Sequence, residues 1–265
     1  MSPETERASR VPRWLIYVLV GLASGLMSGL FGVGGGTVIV PLLVLLAAFD
    51  QRLASGTSLA AIVPTAIVGV ISYAVMGEVS WVAAGLLAAG AVFGAQIGTW
   101  LLPRLPLPWL RWGFIGFLGI VIANLFMVVP SRDAELVITW LSGAGLLVAG
   151  LITGVLSGLL GVGGGIVVVP VLILLFGAND LVAKGTSLLM MIPTAISGTL
   201  GNIKRGNVDI HAAAFIGLGA CLSTAAGAQL ANFLDPKVAT PLFAVFLAFI
   251  AIQLIIKARK AAKNT

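Results

Sequence analysis

One glycine-rich stretch occurs twice in this chain and limits what the chain can fold into. Residues 29–41 read GLFGVGGGTVIVP and residues 158–170 read GLLGVGGGIVVVP, identical at ten of thirteen positions at an offset of 129. The same offset pairs GTSLAAIVPTAIVG (56–69) with GTSLLMMIPTAISG (185–198), identical at nine of fourteen. No gap separates the two registers, so one unit is repeated in tandem. Each unit sets a glycine cluster within apolar sequence: Gly32-Val33-Gly34-Gly35-Gly36 in the first, Gly161-Val162-Gly163-Gly164-Gly165 in the second.

The surroundings of those clusters define the class. The chain is 59% hydrophobic and 9% charged, with a mean hydropathy of +1.13. A soluble domain carries about 25% charged residues, so this composition cannot coat a water-facing surface and specifies an all-α integral membrane protein. The net charge of +6 does not imply nucleic acid. Arg7, Arg10 and Arg13 precede the first apolar run, and Lys257, Arg259, Lys260 and Lys263 follow the last, as basic flanks of membrane spans do. Residues 1–30 are not read as a signal peptide, because 21–36 recurs at 150–165 and cleavage would remove part of the fold. A single cysteine, Cys221, excludes an internal disulfide and a cysteine-cluster metal site, and reads as a small core residue.

The first apolar run, 14–31, stops at the glycines, and the run 37–49 after them is only roughly 20 Å long as a helix. The hydrocarbon core is about 30 Å thick, so the pair is expected to enter, turn at the glycines and return. Spans at 54–76, 81–102 and 108–129 follow. The second half repeats the plan with 136–160, 166–176 and spans at about 182–203, 210–233 and 238–256. Three crossings per repeat invert one repeat relative to the other. The expected organisation is a cytoplasmic tail (1–13), a first repeat (14–129), an external linker (130–135), a second repeat (136–257) and a cytoplasmic tail (258–265). With both termini inside the cytoplasmic membrane, 12 of the 15 basic residues fall inside, and only Arg132, Lys184 and Lys237 fall outside.

A break in a membrane helix leaves backbone groups without partners, and it persists only where protein or a polar cavity covers it. Glycine adopts positive φ and admits close approach. Beyond each cluster a new helix begins at Thr37 or Ile166, and its first amides form a ready anion site. Two inverted copies aim two such ends at one region, the plan of many secondary transporters. The candidate substrate-binding residues are Gly32, Val33, Gly34, Gly35, Gly36 and Thr37 with Gly161, Val162, Gly163, Gly164 and Gly165. Pro64 and Pro193 join them as mid-span kinks, with Thr65 and Thr194 either satisfying the kinked helix or facing substrate. Thr57, Ser58, Thr186 and Ser187 lie nearer the span ends and are candidates for a mouth.

Other positions carry plainer readings. An isolated glycine such as Gly85 is expected to serve helix packing. The GxGxxG resemblance to nucleotide loops fails, because such loops sit between a strand and a surface helix. Gln96 and Asn124 are intramembrane polar residues weighted toward local hydrogen bonding, and His211 toward an interfacial structural role. Nothing else ionisable is expected within the spans, so no buried carboxylate relay marks proton coupling. No catalytic residue, metal or cofactor is expected. Ser24 or Ser157 with His211 is too unlike a nucleophile–base pair to imply an enzyme, since Ser28 and Ser157 are repeat twins that suit packing.

The duplicated G-x-x-G-V-G-G-G-x-x-x-x-P at 29–41 and 158–170, with the downstream G-T-S at 56–58 and 185–187, resembles the sulfite exporter TauE/SafE family of bacterial membrane proteins. The resemblance covers about residues 14–257. It implies a transporter that exports sulfite or a small organosulfonate such as sulfoacetate. An anion channel on the same scaffold, or a carrier of another small anion, is the alternative. Partners implied are a small anion and the bilayer, with no nucleic acid and self-association left open. The repeats differ at Ser55 against Lys184 and Tyr73 against Asn202, so the site need not be symmetric. Lys184 is read as an outer anion-attracting or snorkelling lysine.

Overall fold

The computed structural model describes residues 12–106 and 139–263, and between them 108–109, 112–113, 115–116, 119–120 and 122–123. Most of the span expected at 108–129, Asn124, the linker 130–135 and nearly all of the N-terminal tail lie outside the described residues. The described residues form helices and no strand: α1 (Arg13–Phe31), α2 (Gly36–Leu46), α3 (Gln51–Val75), α4 (Trp81–Leu101), α5 (Trp140–Leu160), α6 (Gly165–Phe176), α7 (Asp180–Ile203), α8 (Ile210–Phe233) and α9 (Pro236–Lys263). Six of these, α1, α3, α4, α5, α7 and α8, are long and apolar enough to cross a bilayer, and α2 and α6 are not.

Helix boundaries follow local chemistry. Gly32 (φ 68°) ends α1 and Gly161 (φ 70°) ends α5, each in the left-handed region that glycine tolerates best. Asp50 caps α3 by accepting from the amides of Arg52 and Leu53, Asn179 caps α7 and Asp209 caps α8. Trp81 and Trp140 open α4 and α5 and are exposed, as aromatic residues are where a span leaves the apolar layer.

Both short helices fold back beside the helix that precedes them. Tyr17 near the start of α1 meets Phe49 just past α2, ring centroids 6.2 Å apart. In the second repeat Phe176 at the end of α6 packs against Gly145 near the start of α5. The helix pairs are therefore hairpins that return to the end they came from. α3 and α7, which are twins at the 129 offset, run antiparallel: Gly56 faces Asn202, Gly198 faces Leu59, and Gly185 faces Tyr73.

Close packing links the repeats rather than the helices within each. In α1, Gly21, Gly25 and Gly29 lie against Ile216, Ala220 and Thr224 of α8. In α5, Gly150, Gly154 and Gly158 lie against Leu87, Ala91 and Ala95 of α4, which answers with Gly90, Gly94 and Gly98. Partners advance together along both helices, so each pair is parallel. Lipid tails are as apolar as leucine, so this association relies on backbones approaching closely over small residues. Gly85 departs from the expectation: it faces outward with no atom within 4 Å in the described structure, because the packing face of α4 is the one carrying Gly90, Gly94 and Gly98. Cys221 is half-buried rather than a core residue.

A Cβ on Gly25 would stand 2.2 Å from the Ala220 carbonyl oxygen, a backbone atom that cannot step aside. Gly25→Leu is expected to cost more than the about 1–3 kcal/mol of ordinary overpacking and to abolish monodisperse protein in size-exclusion chromatography. Gly85→Ala is expected to leave the thermal midpoint unchanged or slightly raised.

Candidate functional site

The two glycine clusters meet inside the bundle. Gly32, Gly34 and Gly35 have φ of 68°, 75° and 74°, and Gly161, Gly163 and Gly164 have φ of 70°, 82° and 88°. Three left-handed residues within four positions reverse the chain, a conformation that favours glycine at each of them. Gly36 packs against the Gly161 carbonyl and Val162, and Gly165 packs against the Gly32 carbonyl and Val33. Val33 and Val162 are buried between them. Ile62 of α3 and its twin Met191 of α7 fill the space at Gly34 and Gly163, both fully buried. The N-termini of α2 and α6 open here on Gly35 and Gly164, without a side-chain cap.

Each break is completed by a hydroxyl of the other repeat. Ser58 Oγ donates to the Gly161 carbonyl (2.8 Å) and Ser187 Oγ to the Gly32 carbonyl (3.0 Å). Thr57 Oγ1 accepts from the Asp209 amide (2.9 Å) and Thr186 Oγ1 from the Ser80 amide (3.0 Å), again as twins. Thr65 and Thr194 donate to the carbonyls of Ala61 and Met190 four residues back, each directly after the proline inside its helix, Pro64 or Pro193. Among the candidates from sequence, the glycines and valines thus converge, while these six hydroxyls are engaged in the protein's own bonds.

Five other buried hydroxyls have no protein partner among the described residues: those of Ser28, Thr37, Thr153 and Ser157, and that of Thr199 near the end of α7. The first four residues are at most 2% exposed. Ser28 and Ser157 are one turn before each break, where their carbonyls accept from the Gly32 and Gly161 amides. Thr37 is in the first turn of α2, and Thr153 packs against Gly164. Thr37 is expected from sequence, whereas Ser28 and Ser157 are set aside there as packing residues. Their occurrence as polar twins on apolar helices was the available signal.

The repeats diverge in charge. Lys184 Nζ lies 3.0 Å from Asp180 Oδ2, and both side chains are nearly excluded from solvent. Lys184 is therefore buried rather than solvent-facing or snorkelling as expected, and an ionisable pair does lie within a span-length helix. The cause is positional: Lys184 packs on Gly32, and Asp180 one turn earlier supplies the counter-charge. The twin positions hold Gln51 and Ser55, and Ser55 donates to the Leu160 carbonyl (3.1 Å). Tyr73 Oη donates to the Gly29 carbonyl (2.7 Å), while its twin Asn202 turns to Gly198 in its own helix. Gln96 bridges α4 to α7 by donating to the carbonyl and hydroxyl of Ser197. Ser24 donates to Gly21 and the ring of His211 lies against Phe215, so no hydrogen bond joins this serine to the histidine.

Removing one member of a buried ion pair leaves the other charge uncompensated, at about 3–5 kcal/mol. Lys184→Met is expected to lower the thermal midpoint sharply, and Asp180→Asn combined with Lys184→Met to recover most of it. Equal midpoints for single and double variants would show that the pair does not act as a unit.

Comparison with known proteins gives the same picture. The chain is 29% identical over 229 residues to the probable membrane transporter protein YdhB of Bacillus subtilis, covering 84% of this chain and 92% of that one. It is 26% identical over 266 residues to the probable membrane transporter protein YunE of the same organism, covering 91% and 97%. A probable membrane transporter protein of Haemophilus influenzae is 29% identical over 262 residues, covering 92% and 98%. The model of the sulfite exporter TauE/SafE family matches residues 2–125 and 146–265. With both glycine breaks inside the matched segments, this multi-pass membrane protein belongs to the sulfite exporter TauE/SafE family.

Proposed function

We propose that the chain is a secondary transporter that exports a small sulfur oxyanion, sulfite or an organosulfonate such as sulfoacetate, across the cytoplasmic membrane by alternating access. The observation that carries this reading is that four partnerless buried hydroxyls, Ser28, Thr37, Thr153 and Ser157, fall within or near the two breaks, where two helix N-termini open uncapped. A hydroxyl and a helix N-terminal amide both donate to anionic oxygen, and the helix dipole adds a favourable field. Such a site holds an oxyanion without a full positive charge inside the bilayer, where a charge is expensive.

The antiparallel course of the twins α3 and α7 supports inverted repeats, and the 12-to-3 split of basic residues supports cytoplasmic termini. The moving bodies differ from the sequence halves. α1 is locked to α8 and α5 to α4 through backbone-close glycines, so each rigid body takes a hairpin from one repeat and a span from the other. Ile62 and Met191 stand between the two breaks as the barrier that motion displaces.

Radiolabelled sulfite uptake into proteoliposomes tests the reading. Expected are saturation, acceleration by sulfite on the opposite side, and about 10–100-fold weaker apparent affinity in Ser28→Ala and Ser157→Ala, from losing a hydrogen bond to a charged ligand worth about 1.5–3 kcal/mol. Flux that neither saturates nor responds to trans substrate would instead assign an anion channel. Saturable flux of another small anion, with none of sulfite or sulfoacetate, would overturn the substrate.

A further inference from the structure

A second anion-directed feature lies away from the paired breaks. An open cavity of about 510 Å³ is lined by Arg52, Arg104, Arg205, Asn207, Trp100 and Pro103. It is formed where α3 begins, α4 and α7 end, and α8 is about to begin. Three guanidinium groups share this space, and none has a carboxylate partner among the described residues. Each is steadied instead by a neutral group. Arg52 donates to the Pro103 carbonyl (3.5 Å), Arg104 to the Trp100 carbonyl (2.6 Å), and Arg205 to the Gly201 carbonyl. The Arg104 guanidinium carbon also lies 3.7 Å from the centroid of the Trp100 ring, over its face.

Capping the ends of α4 and α7 accounts for part of this, since carbonyls at helix C-termini favour cations. It uses one or two of the five donors that each guanidinium offers. Like charges gathered without counter-ions repel one another, and the cluster gains most from an anion that takes several of the remaining donors at once.

The repeat supplies an internal comparison. The positions twinned with Arg52, Arg104, Arg205 and Asn207 are Leu181, Phe233, Met76 and Glu78. At these four twin positions the same backbone plan therefore carries no arginine and one carboxylate. The cavity also adjoins the second break: Arg52 is one turn before Ser55, which bonds the Leu160 carbonyl, and the Asn207 carbonyl packs on Gly56.

The geometry points to an anion-binding vestibule in which Arg52, Arg104 and Arg205 hold an oxyanion group at one end of the protein only. The ligand class is a small group with several anionic oxygens, such as sulfate, sulfite or a phosphate. The vestibule stands independently of which anion crosses the membrane. Its one-sidedness makes it a capture point that raises the local anion concentration at one mouth.

The test uses the full chain in phosphatidylcholine nanodiscs, titrated with sodium sulfate and sodium sulfite and followed by tryptophan emission. Trp100→Phe identifies the part of the signal that arises in the vestibule. Arg104→Gln with Arg205→Gln, and separately Arg52→Gln, are expected to weaken binding at least about tenfold. Lys204→Gln, which removes a nearby charge that does not line the cavity, is expected to change it less than about twofold. A parallel arm measures phosphatidylglycerol retained by wild type and the double variant in mixed-lipid discs. Retention that needs the arginines, with no sulfate response in pure phosphatidylcholine, assigns the site to a lipid phosphate. Wild-type binding and retention in folded arginine variants, or an equal loss in Lys204→Gln, would overturn the vestibule. Sulfite transport sensitive to Ser157→Ala would stand in either case.

Discussion

An apolar medium offers no water to a broken helix, and each unpaired carbonyl there costs several kcal/mol. The architecture depends on how that cost is met. The Gly161 carbonyl is taken by Ser58 and the Gly32 carbonyl by Ser187, so neither repeat satisfies its own break. The Thr57–Asp209 and Thr186–Ser80 bonds follow the same exchange at the two helix starts. A single repeat would leave these groups open. Duplication here is therefore a condition of stability, and the G-T-S of one unit is best understood as the complement of the glycine cluster in the other.

The exchange of partners extends to packing. The tight parallel pairs α1–α8 and α5–α4 take one helix from each repeat, and α3 and α7 cross between them as an antiparallel pair. Close backbone contact is stiff, because a protein interior transmits displacement rather than absorbing it. Hydroxyl–carbonyl bonds and the buried Ile62 and Met191 side chains join the two pairs at the centre. Those polar bonds sit at the breaks, where one repeat supplies the hydroxyl and the other the carbonyl.

Symmetry of backbone is combined with asymmetry of charge. One end of the bundle gathers Arg52, Arg104 and Arg205, while the other buries Lys184 with Asp180 and presents Glu78. The two ends share one backbone plan, and a handful of substitutions between twins gives them different charge.

Much of the fold was legible before any coordinates. Low charge and long apolar runs specify membrane helices, the 129-residue offset specifies two copies, and clusters such as Gly32–Gly36 mark breaks that only glycine permits. The helices α3, α4, α7 and α8 fall within a few residues of the spans read from hydropathy. The Gly21, Gly25 and Gly29 spacing was also there to be read as a packing ladder, and Gly85 shows why a glycine outside such a spacing carries no information. What remained hidden was every choice of partner. Whether Ser58 faces a substrate or Gly161, whether Lys184 reaches water or Asp180, and whether Ser28 is packing or an open donor depend on residues more than a hundred positions away or on helix rotation. Composition and periodicity report how much polarity a segment carries and where backbone can bend. Only tertiary contact decides which polar atoms are already satisfied and which are left open.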